Sequence, residues 1–391
     1  MTPAALIGLR GLASEGTGPL RAEWGSAASL RIRAALQGVA PDWPNAAAGA
    51  LFLDEVARQG ILSLLHHRLT LTGALATWPG QARARLAAEA RAQAVRHLLL
   101  ERELGTILTA LAEAGIRPLL IKGVPLAHSR YAFPYLRPVS DTDLLVRAAD
   151  REQADRILKG AGYLRPTVVA GSLVSQQASY TKLDRSGPPH VLDVHWKVSN
   201  ANAFKDALSF EELALESTPV PALGEHARTP CDVHALILAC LHRVAHHPGD
   251  DRVIWLHDIH LLASVLTGEQ WGELLEAATR KRLCSVVWNG LAGAVDWFAT
   301  AVPADVERRL LEAAEAEPLA QYVRPGLGWW GRLRLELGVL SWRDRTRFIG
   351  QHVFPSSDYV LRRYGASRRL LLPALYLRRA AAGTFRRLLR G

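Results

Sequence analysis

Cysteine is nearly absent: Cys231, Cys240 and Cys284 are the three in 391 residues. They are odd in number, widely spaced and form no C-x-x-C pair, so neither a disulfide framework nor a paired-cysteine zinc site is supported. Each is expected to be a small buried hydrophobe. Long uncharged apolar runs are missing as well. The longest nearly apolar window, Cys284 to Val302, carries Asn289 and Asp296, whereas a spanning helix needs about 20 predominantly apolar residues, so no membrane insertion is expected. The opening MTPAALIGLRGLASEG shows no basic segment leading into a long apolar stretch, and the expectation is a cytoplasmic protein. No G-x-x-x-x-G-K-[ST] loop and no G-x-S-x-G elbow occur, which disfavours P-loop enzymes and α/β-hydrolases. GLGWWG, Gly326 to Gly331, fits a dinucleotide-binding pattern, but its tryptophans block close backbone approach and no strand precedes it. No period of 20 to 50 residues recurs.

With 49% hydrophobic and 21% charged residues, the chain can bury one large core or two ordinary ones. Lysine is scarce beside arginine, 6 against 41, and the net charge of +10 is unevenly placed. From Arg324 to Gly391 fifteen arginines face Glu336, Asp344 and Asp358, a tail of +12 on a body of −2. Such a tail suits an anionic partner. Its alternation of arginine pairs with apolar clusters reads more simply as a packed amphipathic helix.

Four regions are expected: helical over 1–115, mixed α+β over 116–200, helical over 201–320 and an arginine-rich helical tail over 321–391. In the first, Leu86, Ala90, Ala94 and Leu98, then Leu104, Leu108 and Leu111, keep an apolar stripe that ends at Gly115, a C-cap candidate. Leu119 to Ile121 reads as a short buried strand, Lys122-Gly123 as a turn, Val124 to Tyr131 as a short helix, and Asp141 to Val146 as a second strand. A helix starting at Asp150, with Gln153 completing a capping box, precedes a hairpin of Val174 to Leu183 and His190 to Lys197 around DRSGPP. Thr229-Pro230 marks a helix start, and helices are expected at about Cys231 to His246, Arg252 to Leu266 and Glu269 to Arg280. The fold class is therefore α+β, a small mixed sheet between helical flanks.

Strand side chains alternate, so Asp141 and Asp143 share one face while Thr142, Leu144 and Val146 share the other. In the later strand Asp193 and His195 oppose Leu192, Val194 and Trp196. If the two strands are neighbours, three carboxylates converge on the face away from the core. Such a trio suits one or two hard divalent cations, Mg²⁺ or Mn²⁺, which prefer oxygen ligands and leave positions open for phosphates. Lys122-Gly123, in a turn before a helix, offers a cation and backbone N–H groups to phosphate. Arg137 and Arg147 are candidate partners of a polyphosphate leaving group.

KGVPLAHSRYAFPYLRPVSDTDLLV, then a helix ending in AGY, then HVLDVHW, resembles the uncharacterised nucleotidyltransferase family of the polymerase-β-like nucleotidyltransferase superfamily. CLHRVAHH and VIWLHDIHLLA resemble that family's helical part, so that the likeness spans roughly Leu100 to Ala278. The resemblance implies Asp141 and Asp143 as metal ligands with Asp193 as third carboxylate, and a small mixed sheet flanked by helices. It further implies a nucleoside triphosphate or another nucleotide-activated donor, and a small-molecule or peptide acceptor in preference to RNA. Where the superfamily carries Gly-Ser on its phosphate-binding turn, this chain has Lys122-Gly123-Val124, the lysine ammonium standing in for the missing hydroxyl. Ser140, His195, His246, Arg252 and Asp258 complete the expected substrate contacts.

The leading expectation is a Mg²⁺-dependent enzyme that moves a nucleotidyl group to an acceptor hydroxyl or phosphate and releases pyrophosphate. A sugar nucleotide or another phosphorylated donor could use the same residues. His242, His246, His257 and Asp258 raise a second possibility, a His-Asp metal phosphohydrolase. The arginine-rich tail raises a third, an RNA-binding or antitoxin-like module.

Overall fold

The computed structural model describes residues 27–39, 41–44, 46–166, 171–183, 187–246, 251–324 and 326–379. The opening segment, part of the hairpin turn, His247 and the last arginines of the tail lie outside these residues. The described residues open with α1 (Ala27–Leu36), α2 (Ala46–Arg58), α3 (Leu62–Leu71) and the long α4 (Gly80–Glu113). The sheet region follows: β1 (Leu119–Ile121), α5 (Gly123–Ser129), β2 (Thr142–Leu145), α6 (Arg151–Gly160), β3 (Gln177–Lys182) and β4 (His190–His195). Next come α7 (Phe210–Leu215) and a small ribbon of β5 (Thr218–Pro219) and β6 (Arg228–Thr229). Helices complete the body as α8 (Asp232–His246), α9 (Val253–Ser264), α10 (Gly268–Lys281), α11 (Cys284–Phe298) and α12 (Ala304–Ala314), with α13 (Trp329–Gly338), α14 (Trp342–Val353) and α15 (Ser357–Arg363) in the tail. The architecture is α+β, as the sequence predicts.

The four-stranded sheet has the order β1-β2-β4-β3 and is mixed: β2 and β4 are parallel, and each outer strand is antiparallel to its neighbour. Its back face, with Leu120, Leu144, Ala178, Tyr180, Leu192 and Val194, packs on Leu100 to Leu111 of α4 and on Ala154 and Leu158 of α6. The front face is not open, contrary to the expectation that its polar side stands away from the core. Leu119, Ile121 and Leu145 join a second apolar cluster with α8, α10 and α11, so both faces are covered and the carboxylates lie in a cleft between sheet and helices. A third cluster packs α1 to α3 against the start of α4, Tyr131, Leu136 and the first turn of α9.

α4 ends as predicted. Gly115 takes φ +79°, and Gly115 and Ile116 donate to the carbonyls of Ala112 and Leu111 at 2.9 Å each, a Schellman cap. Its middle corrects the expected stripe. Gln93 and His97 are the buried positions, Ala94 is only half-buried and Leu98 stands 65% exposed. A strict spacing of four drifts round a 3.6-residue helix, so Gln93 and His97 take inward positions: His97 Nε2 meets the Arg137 carbonyl at 3.1 Å, and Gln93 donates to Glu89 of the same helix at 2.8 Å while its amide oxygen is buried with no hydrogen-bond partner among the described residues. The capping box at Asp150 is absent. A 3-10 turn over Ala148–Asp150 leads into α6 and holds Asp150 in helical φ/ψ, and Gln153 donates to the Ala114 carbonyl instead. Thr229 belongs to β6 rather than capping α8, whose first turn closes from Ala235 N–H to the Cys231 carbonyl.

The tail buries little. Leu340 and Phe348 pack with Leu173, and Val360 is covered, whereas Trp330, Trp342, Phe354 and Leu370 are exposed. Glu336 ties the tail to the body by accepting from Asn202 and from the Tyr322 hydroxyl. Among the described residues no helix is long and apolar enough to cross a membrane.

Two substitutions test this packing. Leu144→Ala, in the back-face core, is expected to cost about 2–5 kcal/mol in urea unfolding. Leu98→Ala, despite its place in the periodic pattern, is expected to change stability by less than about 0.5 kcal/mol.

Candidate active site

The parallel register of β2 and β4 sets Asp143 directly beside Asp193, and the same row across the sheet holds Ile121 and Ser179. The next row carries Leu119, Leu145, His195 and Gln177. Each side chain near Asp193 follows from this register. Ser179 donates to one carboxylate oxygen at 2.5 Å and Gln177 to the other at 2.7 Å, while Asn200 holds Gln177 at 2.9 Å. Asp143 is buried, and one of its oxygens accepts from Lys122 Nζ at 2.6 Å and His195 Nε2 at 2.7 Å. Donor atoms of Asp143, Asp193 and His195 all lie within 4.8 Å of one another.

The charges are tightly coupled. Burial acts to raise the Asp143 carboxyl, but the Lys122 ammonium and the His195 hydrogen bond outweigh it and hold Asp143 well below the usual carboxylate range. Burial and the Lys122 charge together push His195 below the ordinary imidazole value against the pull of Asp143. A neutral His195 that donates through Nε2 leaves a bare Nδ1, which is buried and makes no hydrogen bond among the described residues. Asp141, two residues upstream of Asp143, is raised by burial first and then by the Asp143 and Asp193 charges, with its Ser140 hydrogen bond at 3.0 Å opposing. A site holding three acids with one of them destabilised as an anion is short of positive charge. The carboxylate oxygens of Asp143 and Asp193, facing one another across two strands, are hard donors that suit a divalent cation, whereas Asp141, the third expected ligand, lies outside the group of donor atoms that converge.

Lys122 reaches Asp143 only through a backbone that L-residues rarely adopt, φ 63° and ψ −129°. Gly123 follows because a Cβ there would stand 2.5 Å from Arg137 Nη1: the guanidinium lies against the bare backbone. Val124 packs in the back-face core, so a serine at this position would not face the carboxylates as the turn is built here. The Arg137 guanidinium donates to Asp258 at 2.8 and 3.3 Å, and Tyr131 donates to Asp258 at 2.6 Å. Burial works against the Arg137 charge, but Asp258 outweighs it and raises its pKa. Arg137 and Asp258, expected to contact substrate, therefore form a buried clamp from the sheet side to α9. Arg147 is elsewhere, stacked 4.7 Å over Phe210 and paired with Glu211. Arg252 stacks 5.3 Å over Trp255, and the side chain of His246, which ends α8, lies outside the described residues.

Nor do the histidines of the second possibility assemble a metal site among the described residues. His257 is buried against Tyr131, His260 and Phe298 with its pKa pushed down to about 3, chiefly by burial, and Asp258 is held by Arg137 and Tyr131.

Space is distributed unequally. Beside Lys122, Arg137 and Asp258, under Thr229 and Pro230, the cavity measures about 20 Å³, room for one water. At the N-terminal ends of β2 and β4 a cavity of about 320 Å³ opens over Ser140 and Asp141, walled by Arg96, Arg102, Glu103, Lys182 and His190. Sequence reasoning missed these cations, which come from α4 and β3, and it missed Gln177 and Ser179. The hairpin's pairing register was the available signal for the last two, since it sets Ser179 opposite Asp193.

A mixed sheet backed by helices, with carboxylates paired across parallel strands beside a turn carrying a lysine, is the frame of a transferase. The chain belongs to the uncharacterised nucleotidyltransferase family, whose profile matches residues 46–299. A comparison with curated proteins finds no match.

Two outcomes are expected. Arg137→Met leaves Asp258 buried without its cation and should cost about 3–5 kcal/mol in thermal or urea unfolding, a loss that a residue serving substrate alone would not produce. Asp141 binds its proton more tightly folded than unfolded, so its contribution to stability falls as pH rises from the ordinary carboxylate range through the raised value and is then constant. Asp141→Asn should accordingly raise the melting temperature of the metal-free protein at pH 7, with the gain shrinking as pH falls toward about 4.

Proposed function

We propose that the protein is a Mg²⁺- or Mn²⁺-dependent nucleotidyltransferase that moves a nucleotidyl group from a nucleoside triphosphate to a small-molecule, peptide or phosphate acceptor, releasing pyrophosphate. The observation that carries this reading is the pairing of Asp143 with Asp193 in parallel register, their donor atoms within 4.8 Å, in a chain of a nucleotidyltransferase family. Asp141, Asp143 and Asp193 hold the cation, which supplies charge neutralisation to the triphosphate. Asp193 accepts the acceptor's proton as the acceptor oxygen bonds to the α-phosphorus and the bond to pyrophosphate breaks. Lys122 neutralises Asp143 at 2.6 Å and neutral His195 orients it, which keeps the carboxylate ionised for the cation. The 320 Å³ cavity over Asp141 supports a phosphate-bearing donor lodged there, with Arg96 and Arg102 suiting its negative charge while Lys182 is paired with Glu103 at 2.7 Å.

The test is pyrophosphate release by the purified protein with Mg²⁺, each nucleoside triphosphate and pooled hydroxylated or phosphorylated small molecules and peptides. Asp143→Asn and Asp193→Asn are each expected to lower the rate by roughly 10³-fold or more while circular dichroism stays unchanged. An undiminished rate in either variant would sink the assignment.

A further inference from the structure

Away from the carboxylate site, Glu216, Cys231 and His234 bring three ligand atoms together. Cys231 Sγ lies 3.5 Å from Glu216 Oε2 and 3.5 Å from His234 Nδ1, and His234 Nδ1 lies 3.7 Å from the same Glu216 oxygen. Weak sulfur hydrogen bonds cover two of the three edges, the Cys231 thiol donating to Glu216 and the His234 Nδ1–H to sulfur. The third, imidazole–carboxylate edge is too long for an N–H···O bond. One tetrahedral zinc would unite all three groups: with Zn–S of about 2.3 Å and Zn–N or Zn–O of about 2.0 Å, adjacent ligand atoms stand about 3.5 Å apart when one is sulfur and about 3.3 Å apart otherwise. The two sulfur edges match, and the 3.7 Å imidazole–carboxylate edge closes to that spacing by a small swing of the exposed Glu216 side chain.

The segment placement agrees. Cys231 precedes α8 and His234 lies in its first turn, three residues on and therefore on the same side, while Glu216 follows the last residue of α7. His234 is buried, Cys231 half-buried and the Glu216 side chain 59% exposed, so the fourth position faces solvent. The ligands straddle the β5–β6 ribbon, whose last residue, Thr229, lines the cleft beside Lys122 together with Pro230.

We infer that Glu216, Cys231 and His234 form a zinc-type site with three protein ligands and an open fourth position, clamping the ends of the ribbon and fixing the Thr229-Pro230 wall of the cleft. The thiol releases its proton to solvent on binding, and the soft sulfur donor selects zinc or cobalt over the magnesium suited to the carboxylates.

Titrating Co²⁺ into the chelator-stripped full chain tests this. A near-ultraviolet thiolate-to-cobalt charge-transfer band saturating at one equivalent is expected, displaced by one equivalent of Zn²⁺. Cys231→Ser should abolish it. Asp143→Asn should leave it in place, which separates this site from the carboxylates, since those carry no sulfur. Glu216→Gln, on an exposed side chain that leaves the fold intact, should weaken Zn²⁺ binding at least tenfold, and Zn²⁺ should raise the melting temperature of the parent chain but not of Cys231→Ser. No charge-transfer band in the parent chain, or a band that survives Cys231→Ser, would overturn the inference.

Discussion

Setting two carboxylates side by side in a covered cleft is the constraint around which the sheet region is built. Like charges in low dielectric repel strongly, and Asp143 is only 8% exposed with Asp193 beside it in the same row. Lys122 offsets that repulsion at 2.6 Å, and it does so from a positive-φ backbone whose cost has to be met by the surrounding packing. The surrounding packing is visible. Gly123 admits the Arg137 guanidinium against the turn, Asp258 anchors the guanidinium, and Tyr131 completes the contact to α9. Helices from the far side of the chain thus hold the turn that places the lysine.

The same arrangement explains why room for a ligand lies where it does. With Lys122 committed to Asp143 and Arg137 to Asp258, the cleft between sheet and α8–α9 is nearly filled, whereas the strand ends near Asp141 open into a larger cavity walled in part by Arg96 and Arg102. Asp141 stands at that junction, its anion disfavoured by burial and by its two neighbours. A cation and a negatively charged ligand together would relieve both imbalances, the acid excess at the carboxylates and the basic excess of the cavity. This complementarity connects the fold to nucleotidyl transfer, whose donor carries its own phosphates.

Much of this was legible. Alternation placed Asp141 and Asp143 opposite Leu144, and Asp193 and His195 opposite Leu192 and Val194, because a half-polar strand has a period of two. Gly115 was readable as a helix stop because a left-handed residue there favours glycine. Less legible was whatever depended on a distant partner. His97 points inward because the Arg137 carbonyl, 40 residues on, awaits it, and Arg137 is a clamp rather than a free cation because Asp258, 121 residues on, reaches it.

By itself, then, the sequence determined the elements, the face on which each acid stands and the family to which the chain belongs, since these follow from local periodicity and from motifs that lie within short segments. Only the tertiary structure decided that β2 and β4 run parallel as neighbours, that the front of the sheet is roofed by helices, and that Cys231, His234 and Glu216 meet. The reason is physical: strand pairing and helix packing are settled by burial summed over the whole chain, and no local pattern states which surfaces will find one another.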